Sequence, residues 1–165
     1  MAFKKEHVEK WLSQKFPGER FVSMVSSGLW SASTNRHIRN PGDQRRTELA
    51  ESLGLDQELK IPPFHQNTFY AITDKQIILG TRSGFSNKPK DLLHAAPLDG
   101  LTIHWFDDTN DPNRARHFVT VLGDGSGKWR SDKTGLTALG RPLKNSTADE
   151  FIQALGSHAK HVPNE

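Results

Sequence analysis

Four arginines, Arg36, Arg39, Arg45 and Arg46, fall within eleven residues beside His37, opposed by the single acid Asp43. A guanidinium matches phosphate or carboxylate oxygens through paired N–H donors, so this segment has the chemistry to clasp an anionic headgroup or an acidic peptide. Each basic residue near an anionic membrane is worth about 1 kcal/mol, so attachment through four of them is weak and salt-sensitive. The competing reading is a solvated loop whose charge keeps the chain dispersed. Trp30, just before the segment, either packs into the fold or lies at a membrane or partner surface.

Other clusters carry less. Gly123 to Lys128 is glycine-rich, but a phosphate-binding G-x-x-x-x-G-K-[ST] loop needs Gly at 122 and Ser or Thr at 129, where the chain has Leu122 and Trp129. Asp107, Asp108 and Asp111 offer oxygens to a hard cation. Yet Thr109, Pro112 and Phe118 stand where a calcium loop needs an acid, a glycine and a bidentate Glu. Of eight histidines, His158 and His161 share an i, i+3 spacing without a third zinc ligand. His94, His104 and His117 fall in strand patterns, either as neighbours with a shared role or as ordinary strand positions. The absence of cysteine removes thiolate catalysis, disulfides and zinc fingers, and no G-x-S-x-G elbow occurs. No catalytic residue, metal ligand or cofactor is assigned, and a non-enzymatic protein is expected; an enzyme of unrecognised type is the remaining alternative.

The formal charge of +3 comes from 22 Lys and Arg against 19 Asp and Glu. After Tyr70 twelve bases face eleven acids, so no extended basic surface for nucleic acid is expected. With 165 residues, 34% hydrophobic and 25% charged, the chain suits one globular domain. No apolar run approaches the roughly 20 residues of a transmembrane helix. Met1 to Lys10 lacks the apolar core of a signal peptide, so the expected address is cytoplasmic, with peripheral attachment at the inner membrane face left open.

These residues need elements to position them. Val8, Trp11, Leu12 and Phe16 recur at helical spacing and Pro17-Gly18 closes the pattern, which predicts an amphipathic N-terminal helix. Arg20 to Trp30 alternates like a strand, and Ser31 to Arg46 reads as a long surface loop. Thr47 to Leu53 follows as a short helix with Thr47 as N-cap. Thr68 to Thr81 is a hairpin with a tight polar turn at Thr73 to Gln76. Leu92 to Phe106 continues as strand, and Phe118 to Leu122 with Lys128 to Ser131 forms a second hairpin. Ser146 to Leu155 closes the chain as a helix, with Thr147 and Glu150 as a capping box, an apolar face of Ala148, Phe151, Ile152 and Leu155, and Gly156 at the C-terminal stop.

From Phe69 onward the chain resembles the small bacterial pleckstrin-homology-like (PH-like) domains. The resemblance rests on Tyr70 to Leu79, on Asn87 to Leu93 leading into Pro97 to Leu101, on the strand Phe118 to Leu122 with its Asp-Gly turn, and on Ala148 to Leu155. It implies an α+β, mostly β, fold: an antiparallel bent sheet, as two packed sheets or a half-barrel, capped by a C-terminal helix. The expected single domain comprises an N-terminal helical extension at 1–18, a PH-like domain at 19–156 with the arginine loop at 31–46, and a tail at 157–165. The resemblance further implies docking to lipid, peptide or protein. An anionic headgroup or acidic partner segment would meet Arg36, Arg39, Arg45 and Arg46 with Lys88 and Lys90. The alternative is a protein–protein or self-association module using a strand edge or the N-terminal helix through Phe3, Trp11 and Phe16.

Overall fold

The computed structural model describes residues 3–28, 41–58, 67–83, 85–108, 115–123, 127–135, 137–138, 141–142 and 147–163. In chain order the elements are α1 (Lys5–Lys15), β1 (Phe21–Gly28), α2 (Pro41–Ser52), β2 (Gln57–Glu58), β3 (Asn67–Thr73), β4 (Gln76–Arg82), β5 (Pro89–Pro97) and β6 (Leu101–Asp107). They continue as β7 (Ala115–Leu122), β8 (Lys128–Gly135), β9 (Thr137–Ala138), β10 (Arg141–Pro142), α3 (Ala148–Leu155) and β11 (Ala159–His161).

The strand order is β11-β6-β7-β8-β1-β3-β4-β5, with β2 parallel to the start of β8 and β9 paired to β10. Two antiparallel runs result: four strands, β1-β3-β4-β5, and three, β6-β7-β8. They meet at one register pair, Gly28 with Lys133. The fold is therefore α+β with a largely antiparallel bent sheet, an N-terminal helix and a C-terminal helix.

Alternation explains which face each residue serves. Val25, Tyr70, Ile72, Ile77 and Leu79 point inward to meet Leu101, Ile103 and Phe118 from the three-stranded run, and α3 fills the space between them. Phe151 has no exposed surface, its ring lying 5.9 Å from Tyr70 and 6.0 Å from Phe118. Burying such a side chain stabilises the fold by about 1.5–3 kcal/mol. The opposite face of the four-stranded run, with Met24, Phe69, Ala71 and Ile78, is covered by Val8 and Leu12 of α1. Gly80 is required there, because a Cβ would sit 2.6 Å from the Phe69 ring. The outer face of the three-stranded run is covered by α2, where Ala50 meets Val119 and Trp129.

A polar network crosses the apolar interior. Arg130 on β8 grips Asp132 through two hydrogen bonds, Nε to Oδ2 at 2.8 Å and Nη2 to Oδ1 at 3.0 Å. The Tyr70 hydroxyl on β3 donates to the same Oδ2, and Thr120 on β7 supplies Oγ1 3.1 Å from the phenol oxygen. Burial, then the neighbouring Asp132 charge, push the Tyr70 hydroxyl well above its usual pKa, so it stays a donor. This network joins β3 to β7 and β8, that is, one run to the other.

Several expectations are corrected. Leu92 to Phe106 is two strands, because Pro97 and the 3-10 turn Leu98–Gly100 make the corner between the runs. The tail contains a strand: β11 adds in parallel to β6, pairing Ala159 with Ile103 and His161 with Trp105. The helix placed at Thr47 begins at Pro41, whose fixed φ suits a first helical turn, so Thr47 is internal to it. Thr147 is the N-cap of α3, yet its side chain makes no capping bond, and Glu150 reaches Lys5 at 3.7 Å. The expected capping box is not formed.

The interior network yields a stability prediction. Asp132→Ala leaves the buried Arg130 uncompensated and should cost about 3–5 kcal/mol in urea unfolding, against about 1–3 kcal/mol for Tyr70→Phe. Equal and negligible effects of both changes would contradict the network.

Candidate functional site

The most exposed apolar side chain among the described residues stands on the turn from β4 to β5, where Phe85 is 100% exposed. The turn is tightly hydrogen-bonded. Ser83 Oγ accepts the amides of Phe85 at 3.2 Å and Ser86 at 3.3 Å. The Asn87 amide donates to the Ser83 carbonyl and the Ser83 amide to that of Lys88, each at 2.9 Å. Asn87 takes a left-handed φ of 53°, which Asn tolerates better than most residues.

Arg82 fastens this turn to the sheet. Its guanidinium donates to Asn87 Oδ1 at 2.8 Å, to the Thr68 carbonyl at 2.7 Å and to the Ser27 carbonyl at 3.1 Å. The same group lies over the Phe3 ring, 5.5 Å from its centroid. Lys88 and Lys90 are exposed immediately beyond. The result is a phenyl ring presented to solvent on a pinned backbone, with two exposed lysines three and five residues further along the chain. Phe85 was missed in the sequence; its signal was an aromatic inside a Ser-Gly and Ser-Asn turn, where polar residues are the rule.

The arginine segment behaves differently. Arg36 and Arg39, with His37 and Trp30, lie outside the described residues. Arg45 and Arg46 lie on α2, not in a loop. Arg45 stacks on Phe106 at 4.1 Å and donates to the Pro163 carbonyl at 2.8 Å, tying α2 to the end of the chain. Arg46 is 6% exposed. Neither is a surface loop residue of the kind expected, and neither is brought together with Lys88 and Lys90.

Beneath them lies His117. Phe106, His117 and Lys133 are cross-strand neighbours on β6, β7 and β8, and the Phe106 and His117 rings stack 4.9 Å apart at 8°. The imidazole is fully buried, and both its nitrogens lack a hydrogen-bond partner among the described residues. Burial, then the nearby Arg46, Lys133 and Arg45 charges, lower its pKa from 6.5 to about 3. His104 sits on β6 opposite Val119 and His94 on β5 opposite Leu79, so the three strand histidines do not form one cluster.

Phe3, Trp11 and Phe16 all pack inside the chain, against the cluster of Phe69, Ala71 and Ile78. Phe3 and Trp11 place their rings 5.2 and 5.4 Å from Phe69. Of the acidic turn, Asp107 binds Arg116 through two oxygens at 2.6 and 3.0 Å, and Asp111 lies outside the described residues. Among the described residues no group of three His, Cys, Asp or Glu is placed to hold a metal, and no helix is long and apolar enough to cross a membrane.

No family model, curated protein or solved structure matches this chain. Its function is therefore argued from the geometry of its own residues.

The His117 environment predicts a pH dependence. Its pKa is lower folded than unfolded, so the unfolded chain takes the proton first. Stability is full above pH 6.5 and declines as pH falls toward 3, by up to about 1.4 kcal/mol per pH unit. Unfolding free energies between about pH 7 and pH 5 should show this slope. His117→Phe should flatten it, leaving the contribution of His104, whose pKa is lowered by burial and by Lys160. An unchanged slope in that variant would contradict the assignment.

Proposed function

We propose that this chain is a non-enzymatic docking domain of the PH-like type, and that it meets an anionic membrane surface with the tip of its β4–β5 turn. The observation that carries this reading is Phe85, wholly exposed on a turn that Arg82, Ser83 and Asn87 hold in place. A ring kept in water on a rigid support loses little conformational freedom on insertion. Transfer of such a ring out of water is worth about 1.5–3 kcal/mol. Lys88 and Lys90 add electrostatic attraction of about 1 kcal/mol each near anionic headgroups. Two modest contributions of different kind give reversible attachment that salt weakens.

Docking by strand addition is less well supported. The outer edge of β5 is blunted by Pro89 and Pro97, by two register shifts opposite Leu79 to Arg82, and by the exposed Lys90 and Asp91. The N-terminal helix spends Phe3, Trp11 and Phe16 on its own sheet, which leaves the self-association reading without its anchors.

Vesicle flotation tests the proposal, comparing phosphatidylcholine alone with phosphatidylcholine plus phosphatidylserine at low and high salt. The chain should float with the anionic vesicles at low salt, and Phe85→Ser should lower the partition coefficient by about 10-fold or more. Lys88→Ser with Lys90→Ser should lower it by about 30-fold and remove most of the salt dependence. All three positions are exposed or half-exposed turn and edge residues, so folding is expected to survive. No flotation at low salt, or flotation indifferent to Phe85→Ser, sinks the membrane reading and turns the search to a protein pocket for the same ring.

A further inference from the structure

After α3 the chain turns through the 3-10 segment Gly156–His158 and runs as β11 along the edge of β6. β11 is three residues long and its Lys160 and His161 are exposed, so burial of apolar surface contributes little to its attachment. Its hold is polar and aromatic. The Val162 amide donates to the Trp105 carbonyl at 2.8 Å, and the His161 ring lies 4.4 Å from that of Trp105. From α2, Arg45 donates to the Pro163 carbonyl at 2.8 Å and to that of Val162 at 3.4 Å, while its guanidinium rests on Phe106 of β6 at 4.1 Å. Residues 159–163 are thus bonded to a sheet edge and to a helix at once.

That double attachment couples the two elements. The apolar contacts of α2 are gathered at Leu49 and Ala50, which meet Val119 and Trp129, whereas Arg45 fixes the helix one turn earlier. Loosening residues 159–163 from β6 takes two acceptors away from Arg45, and loosening α2 takes donors away from Val162 and Pro163. By linkage the effect is equal in both directions.

The register supplies a trigger. Lys160 is the partner of His104 across β11 and β6, and the residue opposite His104 on β7 is Val119, which carries no charge. His104 is half-buried, and burial, then the Lys160 charge, lower its pKa from the usual 6.5. Protonation would set a second cation beside Lys160 in a partly desolvated position. Detachment carries Lys160 away and lets water reach the imidazole, so the detached form takes the proton first and gains as pH falls below 6.5. The other charged or titratable groups at this edge are His158 on the preceding turn, His161 on β11, Arg45 on α2 and Arg116 on β7. Arg116 binds Asp107 of β6 and Asp149 of α3, and lies 4.4 Å from the Trp105 ring.

We propose that residues 159–163 form an acid-sensitive strap, closed at neutral pH, that clamps α2 to the edge of β6 and leaves that edge when His104 is protonated. The strap is separate from the Phe85 turn and does not depend on the membrane reading.

Amide exchange of the full chain, read by NMR relative to the unstructured-chain rate at each pH, tests both parts. At pH 7.5 Val162→Pro, which removes the amide bonded to Trp105, should lower the protection of the α2 amides by about 2–10-fold, and Arg45→Met should lower that of the Val162 amide by a similar factor. Between pH 7.5 and 5.5 the protection of the Val162 amide should fall by about 3-fold or more in the unmodified chain and stay level in His104→Gln. α2 amides indifferent to Val162→Pro, a Val162 amide equally protected at both pH values, or an acid loss retained in His104→Gln overturns the proposal. If Val162→Pro also speeds exchange in β3 and β4, it has disturbed the whole fold, and Arg45→Met then carries the test: a Val162 amide indifferent to that change overturns the strap equally.

Discussion

Because β1 and β8 share one register pair among the described residues, Gly28 with Lys133, closure of the shell rests on the carboxylate of Asp132. That group takes two hydrogen bonds from Arg130 and one from Tyr70, and so ties the four-stranded run to the three-stranded run across the interior. Asp132 is fully removed from water and Arg130 nearly so, which is tolerable because each oxygen of Asp132 has a donor and the guanidinium is gripped at two points. Phe151 packs directly on Tyr70, so the plug of α3 and the polar tie reinforce one another. A second tie runs to α3 itself: Arg116 binds Asp107 and Asp149 while lying 4.4 Å from the Trp105 ring.

The interior is filled and tied, and the helices lie outside it. α1 lies on one outer sheet face and α2 on the other, so both broad surfaces of the sheet are partly covered. The most exposed apolar side chain among the described residues, Phe85, stands on a turn held by the same sheet: Arg82 reaches back to Ser27 and Thr68, next to the point where the runs meet.

Much of the fold was legible because its signals are local. The Tyr70 to Leu79 alternation, the α1 stripe of Val8 and Leu12, and the α3 face of Phe151 and Leu155 each repeat with a period that a few residues reveal. What escaped depends on contacts distant in sequence. β11 is three residues long and exists because β6 offers an edge. α2 carries almost no apolar pattern before Leu49, so its first turns looked like loop. Arg45 was legible as charge, but not as a residue turned onto Phe106. Phe3, Trp11 and Phe16 were legible as an apolar stripe, whereas the sheet that absorbs them could be identified from coordinates alone. Phe85 escaped because a lone aromatic in a turn has no periodic context.

Native-state hydrogen exchange tests the closed shell most directly. If Asp132 unites the two runs, the slowest amides of β3 and β4 and those of β7 and β8 open with one common free energy, and Asp132→Asn lowers both sets by the same amount. Protection lost from β7 and β8 while β3 and β4 keep theirs would show two independent sheets, and the account of a single tied shell would be wrong.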